Sequence, residues 1–431
     1  MLDQFDVAVI GAGMAGIIAA RDLSNKGFSV VLIEARDRLG GRTYTEQALG
    51  SHIDLGGGYV HWTQANVWRE LHRYGISIFP PPTANKVYWL AQDKVHSGTE
   101  ADYFSLVDPL IARLVADARA RFPMPFDISI VDNSDIEKQS LEDRISSLNL
   151  SPYERDVLDG VLSGIVHSYE EQGVAQLLLC VAAYFGDYKA FFETASFWSI
   201  EGGTRALVNA IMGETKAELH LSSPVRSIFD DGTRVKVTTR AGLEVYARRA
   251  IVALPLNTLQ DLQFTPDVSP RARAFIDQKN PVMGGKLWVR VKGHIEPFTG
   301  FAPVGKHPIN AVRTEQYHNG DTLIMCILSD AAAIQGDDKH AVQEALRLFV
   351  PDIEVVDTAS HNWAVDEFSK GGWMFHRPGS LTEAAPLMRQ PHGLVHFAGS
   401  DIAAMDVGAI EGALETGVAA ARDVYAALST S

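Results

Sequence analysis

The chain has 431 residues, 46% of them hydrophobic and 21% charged, with a formal net charge of −15 at pH 7. That length implies two domains rather than one core, and the composition is that of a globular protein. The acidic excess argues against a nucleic-acid partner or an anionic membrane surface, both of which need a basic face; two cysteines, Cys180 and Cys326, without CxxC spacing argue against a disulfide framework and a metal centre.

The first elements are read from VAVIGAGMAGIIAARDLSNKGFSVVLIEARDRLGGRT, residues 7–43. An apolar β-branched run meets GxGxxG, a small-residue helix follows, and a second apolar run ends on Glu34, the order of a βαβ unit. Gly11 permits the tight turn off the first strand, Gly13 lets a pyrophosphate approach the backbone, and Gly16 lets the helix pack close to the sheet. The helix N-terminus then offers free N–H groups and its positive dipole end to the phosphates. Glu34 stands where a carboxylate accepts from a ribose 2′-hydroxyl and disfavours a 2′-phosphate. At this point NAD and FAD both remain open. The leading MLDQFD lacks the basic region and cleavage site of a signal peptide, so a cytoplasmic protein is expected.

Residues 101–122 and 135–185 read mostly as helices, with apolar residues at helical spacing in LEDRISSL and ERDVLDGVLSGIV. From 218 to 254 the pattern becomes extended: VKVTT and LEVYA alternate, Asp231-Gly232 and Ala241-Gly242 supply turns, and AIVALP is a buried strand. KLWVRV, TLIMCILS and IEVV are further strands, and 338–350 is a helix. The end of the chain, GLVHFAGSD followed by GAIEGALETGVAAARDVYAAL, mirrors its opening as strand, glycine turn and small-residue helix. Glu415, Arg422 and Asp423 exclude a membrane span there. The expected fold is α/β: a Rossmann-type dinucleotide domain from 1–80, 200–285 and 390–431, with an inserted α+β substrate domain from 81–199 and 286–389 whose mixed sheet is flanked by helices.

The residues after Glu34 narrow the cofactor. ARDRLGGRTYT places Gly40-Gly41 between Arg38 and Arg42, so a second glycine turn brings N–H groups and guanidinium toward the same phosphates. NAD-binding units do not need this extension. With DLGGGYVHWTQ (54–64), IEGGTRALVNAI (200–211), PVRSI (224–228), IVALPLNTL (251–259), GGKLWVRV (284–291), NWAVDEFSKGGW (362–373) and HFAGSDIAAMDVGAIEGALETG (396–417), the sequence resembles the flavin-containing amine oxidases, the monoamine oxidase family. Among them it is most similar to bacterial nicotine-pathway members, through GSD and IEGALET.

The resemblance implies FAD. It places Gly11, Gly13, Gly16, Glu34, Arg36, Gly41 and Arg42 around the adenosine and pyrophosphate, Val225 at the adenine, and Gly399, Ser400 and Asp401 at the pyrophosphate and ribityl. Gly57, Gly58 and Tyr59 fall beside the isoalloxazine, and Ile410 opens a helix whose N–H groups face flavin N1 and O2. Lys286 corresponds to a lysine that binds a water near N5 and assists dioxygen reduction, and Trp373 to an aromatic wall beside the amine. His61 and Trp62, just past the glycines, are expected to line the substrate pocket with Tyr59. Two departures matter. Gly372 stands where monoamine oxidases have a flavin-linked cysteine, so the FAD is expected to be noncovalent. Ala409 stands where most relatives have a second aromatic wall, so one side of the cage is open to a bulkier amine.

The expected activity is oxidation of an amine, of the secondary, aryl-substituted nicotine type, to an imine that water hydrolyses, with dioxygen or another acceptor reoxidising the flavin. An L-amino-acid oxidase would need a guanidinium for the carboxylate, for which Arg313 and Arg377 are available; a monoamine or polyamine oxidase and a flavoprotein scaffold are the other readings. Glu411 is expected to serve a helix N-terminus or the ribityl chain, and Asp366 and Glu367 to form a solvated face. A homodimer is left open.

Overall fold

The computed structural model describes residues 4–429, so the start of MLDQFD and the last two residues lie outside the described residues. Two large sheets organise the α/β chain. The first has eight strands, in the order Glu218–His220, Val30–Ile33, Gln4–Ile10, Glu244–Val252, Val235–Thr239, Val225–Asp230 and Gln263–Thr265, with Val395–Phe397 pairing on Glu244–Val252. Gln4–Ile10 is central and parallel to both neighbours, with Ile10 opposite Ile33 on one side and Val252 on the other. Val7 to Ile10 are buried because helices or loops cover both faces, the usual condition of a parallel sheet. Glu244–Val252 runs through two of the expected strands without a break: its first half pairs antiparallel with Val235–Thr239, and its second half parallel with Val395–Phe397.

Two helices lie on this sheet in close contact, Met14–Asn25 and Ile410–Ser429. Small residues allow the approach. A Cβ on Gly16 would stand 1.8 Å from the Gly11 carbonyl, and one on Gly417 would stand 2.3 Å from that of Ala15.

The second sheet has seven strands, in the order Val355–Ser360, Gly285–Val291, Asp321–Leu328, Ala311–His318, Phe298–Phe301, Lys86–Ala91 and Lys94–Gly98. Beside it pack Glu100–Leu114, Pro152–Leu162, Val174–Ala183 and Tyr188–Ser196, around a core that includes Tyr103, Val107, Leu158 and Leu178. Capping boxes start three of the helices of this region: Thr99 with Asp102, Ser140 with Asp143, and Ser151 with Glu154 ahead of Pro152. Within the expected helical stretch 135–185, the helix of ERDVLDGVLSGIV ends at Leu162, and Gln172 folds back to accept from the His167 and Ser168 N–H groups, holding 163–173 as a loop. The strand read at IEVV begins two residues later, at Val355, because Ile353 is taken into the core under the sheet. Among the described residues no helix is long and apolar enough to cross a membrane.

Candidate active site

A cavity of about 870 Å³ runs between the two sheets. Its walls include Glu34, Arg36, Val225 and Arg240 in one part, Gly13, Gly40, Gly41, Arg42 and Ser400 in another, and Gly57, Tyr59, Lys286, Trp373 and Ala409 in a third. That volume lies near the top of the range for small-molecule sites, roughly 300–1,000 Å³.

One end of the cavity is built by glycine geometry. Gly11 has φ +98°, and a Cβ there would stand 2.6 Å from the Ala253 carbonyl, so only glycine makes this turn. Gly13 bridges to Gly40 and is open: a Cβ on it would find nothing nearer than 3.9 Å. Met14–Asn25 starts without a capping side chain and without an acid in its first turn, and Gly13, Met14 and Ala15 line the cavity. Unshielded N–H groups at a helix start are an anion site. Gly16 lies behind them, in the helix-to-turn contact. Glu34 Oε2 accepts from Ala12 N–H at 2.7 Å and Oε1 from Arg36 N–H at 2.9 Å, which fixes the carboxylate on the cavity wall.

The three arginines divide their work. Arg42 lines the cavity and donates to the Gly372 carbonyl at 3.0 Å, to Ser400 Oγ at 3.0 Å and to Asp401 Oδ1 at 2.5 Å. Asp401 lies behind the wall, where its other oxygen accepts from Leu256 N–H. Arg36 lines the cavity and is held by Asp366 at 2.5 Å and Ser369 at 3.0 Å. Arg38 instead folds over the Tyr44 ring and donates to the Leu39 and Gly41 carbonyls, bracing the loop rather than facing the cavity. Asp366 is therefore not on a solvated face. It is largely buried between Arg36 and His361; burial would raise its carboxyl, but the His361 hydrogen bond and the Arg36 charge hold it down at about 2. Glu367 lines the cavity and pairs with Arg240.

At the other end, Lys286 begins Gly285–Val291 and is buried, 8% exposed. Its Nζ donates to the Gly56 carbonyl at 2.8 Å and lies 4.4 Å from the Tyr59 ring centre. Burial pulls its pKa down to about 8, opposed by Asp54 and Glu315 and assisted by Arg313. Asp54 accepts from Thr45 Oγ1 at 2.5 Å and from the Thr204 hydroxyl and N–H, and a Cβ on Gly58 would stand 2.7 Å from its own Cβ. Burial raises the Asp54 carboxyl.

Trp373 closes one side. Its ring is seated because Gly284 has no Cβ, which would stand 2.7 Å from the ring edge. Asn280 donates to the Trp373 carbonyl and Asn257 to that of Lys370, fixing the segment before the tryptophan. Ala409 also lines the cavity, and Ile410 begins the final helix beside it. Glu411 serves a helix N-terminus, but that of the neighbouring Ala65–Tyr74, accepting from Asn66 and Val67 N–H.

His61 and Trp62 do not line the cavity. The two rings stack at 3.8 Å, His61 Nδ1 meets Thr63 Oγ1 at 2.7 Å, and Trp62 turns its edge to Trp198 at a 44% exposed position. Aromatic contact on the outer side of the Tyr59–Val60 strand accounts for their placement. Arg377 is also outside, paired with Glu171. Arg313 does line the cavity, but Glu315 takes two of its nitrogens, at 2.7 and 3.3 Å, and balances its charge.

Several cavity residues carried no motif in the sequence. Gln176, Cys180 and Tyr184 lie one helical turn apart along Val174–Ala183 and its cap, and all three line the cavity with Asp406. Polar residues four apart in the otherwise apolar VAQLLLCVAA were the available signal. Glu315, which pairs with the cavity-lining Arg313 two residues away on the same strand, had none.

Residues 14–425 match the family model of the flavin containing amine oxidoreductases. The chain belongs to this family. Its relatives include a pseudooxynicotine dehydrogenase of a Pseudomonas species, 31% identical over 96% of this chain and 85% of that one. An (S)-6-hydroxynicotine oxidase of Paenarthrobacter nicotinovorans is 28% identical over 96% and 97% of the two chains. The solved cyclohexylamine oxidase of Brevibacterium oxydans superposes with a TM-score of 0.82 at 20% identity, covering 99% of this chain and all of that one, a likeness of fold. The flavin amine oxidoreductase described here thus has its glycine turns, uncapped helix start and two cavity-lining arginines in a single cleft. An anionic, dinucleotide-shaped flavin fits that donor set.

Proposed function

We propose that the chain binds FAD noncovalently and oxidises a secondary, aryl-substituted amine of the nicotine type to an imine, with reoxidation by dioxygen or another acceptor. The observation that carries the substrate part is that Ala409, whose methyl leaves its side of the cavity open, lines one cavity with Trp373 and Lys286. Two relatives whose names refer to nicotine-pathway compounds support it. The paired state of Arg313 supports an amine over an amino acid, because a carboxylate would have to compete with Glu315.

Bound flavin would supply the acceptor for the hydride equivalent leaving the carbon next to nitrogen. The chain's residues do the rest. Gly13, the start of Met14–Asn25, Arg36 and Arg42 hold the phosphates, and Glu34 the adenosine ribose. Trp373 orients the amine by its π face, and the apolar walls exclude water. The first N–H groups of Ile410–Ser429 favour negative charge developing beside them. Lys286 holds a proton at Nζ under the Gly56 carbonyl, a positive charge placed where superoxide-like character would develop.

The noncovalent reading rests on Gly372, which carries no nucleophile, and on the two thiols. Cys180 lines the cavity but burial pushes its thiol far up, and Cys326 is buried in the second sheet. Acid precipitation should release the yellow colour to the supernatant; colour retained on the washed pellet would refute it. Aryl-substituted secondary amines should exceed benzylamine and short alkylamines in kcat/KM by about tenfold or more, since positioning dominates such rates. Equal values across the two classes would remove the substrate assignment.

A further inference from the structure

We propose that Asp406, with Tyr184, forms a subsite for a protonated second nitrogen of the substrate, so that the preferred amine carries one nitrogen to be oxidised and another, cationic one held by this carboxylate. The proposal rests on the amine-oxidation reading and names the polar recognition that reading lacks.

Asp406 lies in the loop between the Ser400–Ile402 turn and the final helix, three residues before Ala409, and the turn closes through Ala409 N–H to the Asp406 carbonyl at 3.0 Å. Asp406, Tyr184, Cys180 and Ala409 all line the cavity. Tyr184 Oη donates to Asp406 Oδ1 at 3.0 Å. Among the described residues Oδ2 has no hydrogen-bond partner, and no cation pairs with the carboxylate. A carboxylate held in a largely apolar cavity without a counter-charge is costly, and a cationic ligand group relieves that cost.

The surrounding charges sharpen the point. Glu411 and Glu415, in the first turns of the final helix, face Asp406, and Cys180 and Tyr184 face it from the helix side. Arg389 acts on Glu415. Burial first, and the two glutamates next, raise the Asp406 carboxyl to about 7. The other acids have taken partners: Glu411 accepts from Asn66 and Val67, and Glu415 from Ala404 and Met405 N–H. Of these three acids Asp406 is the one that lines the cavity, with an oxygen free to accept. The space that Ala409 leaves open adjoins it on the same turn.

The test compares two amines of the same skeleton, 2-phenylpyrrolidine and its analogue with an aminomethyl group on the phenyl ring. Dissociation constants are measured anaerobically on the FAD-loaded enzyme from flavin spectral perturbation, and kcat/KM in turnover, each from pH 5.5 to 8.5. The two-nitrogen amine should bind and react better by about tenfold or more at pH 8, the scale of a charged hydrogen bond, and the advantage should shrink below pH 7 as Asp406 protonates. In Asp406→Asn the ratio should fall toward one, and Asp406→Glu should restore part of it. A wild-type ratio near one at every pH, or a ratio unchanged in Asp406→Asn, would overturn the subsite. Tight, pH-dependent binding of the two-nitrogen amine without flavin reduction would uphold the subsite while contradicting the substrate assignment under Proposed function.

Discussion

Lys286 shows how position alone changes a residue's chemistry. On a solvated strand end it would be an ordinary ammonium; under the Gly56 carbonyl, over Tyr59 and within reach of Asp54 and Glu315, it titrates at about 8. Lys286→Met should slow flavin reoxidation by dioxygen by about 100-fold, the scale of losing one preorganised charge or donor, with a smaller effect on amine binding. Stopped-flow mixing of the reduced enzyme with dioxygen measures it, and an unchanged rate would leave Lys286 only its structural contacts. The wild-type reoxidation rate should also fall as pH rises through about 8, because the depressed group loses its positive charge there. Single residues were legible where a local motif fixed them, as with Gly11, Glu34 and Arg42. Asp366 was not, because what buries it is Arg36, 330 residues earlier in the chain. His61 was misplaced because adjacency to the glycines does not say to which side of a two-residue strand a ring turns.

At the scale of elements, the turn 403–409 sets both the shape and the charge of the amine site. Ala409→Tyr should fill the open side and shift kcat/KM toward small amines, while Trp373→Ala should impair bulky and small amines alike; an unchanged ratio in Ala409→Tyr would show that residue 409 does not face substrate. The same turn has a stability signature. Asp406 in the folded chain titrates at about 7 and in the unfolded chain at about 4, so the folded state holds the extra proton between those values and loses stability as pH rises across them. Asp406→Asn removes that loss. Its Tm relative to wild type, in the flavin-free protein, should therefore be higher at pH 8 than at pH 4, and a pH-independent difference would contradict the raised carboxyl. At the nucleotide end, Gly16→Ala would drive a methyl group to within 1.8 Å of the Gly11 carbonyl. A loss of about 1–3 kcal/mol in urea unfolding is expected, together with poorer flavin retention. The βαβ opening and its mirror at the C-terminus were legible because strand, glycine turn and helix are contiguous. The run of helices at 135–185 was less so, since Gln172 ends one of them through contacts that no periodicity records.

Across the whole molecule, the function depends on two sheets meeting along one cleft. The first sheet supplies the glycine turns and an uncapped helix start; the second sheet supplies Lys286 and Arg313; the helical layer supplies Tyr184 and Cys180. The first of these was visible in the sequence, because a glycine turn between strand and helix is local backbone geometry. The third was not, because substrate walls are assembled from side chains far apart in the chain and selected by shape. The most direct test of the proposed function is an anaerobic titration of the FAD-loaded protein with an aryl-substituted secondary amine. The oxidised flavin absorption should bleach to completion with one equivalent of amine, and do so faster than with benzylamine. A spectrum that stays oxidised with secondary, primary and amino-acid amines alike would contradict it.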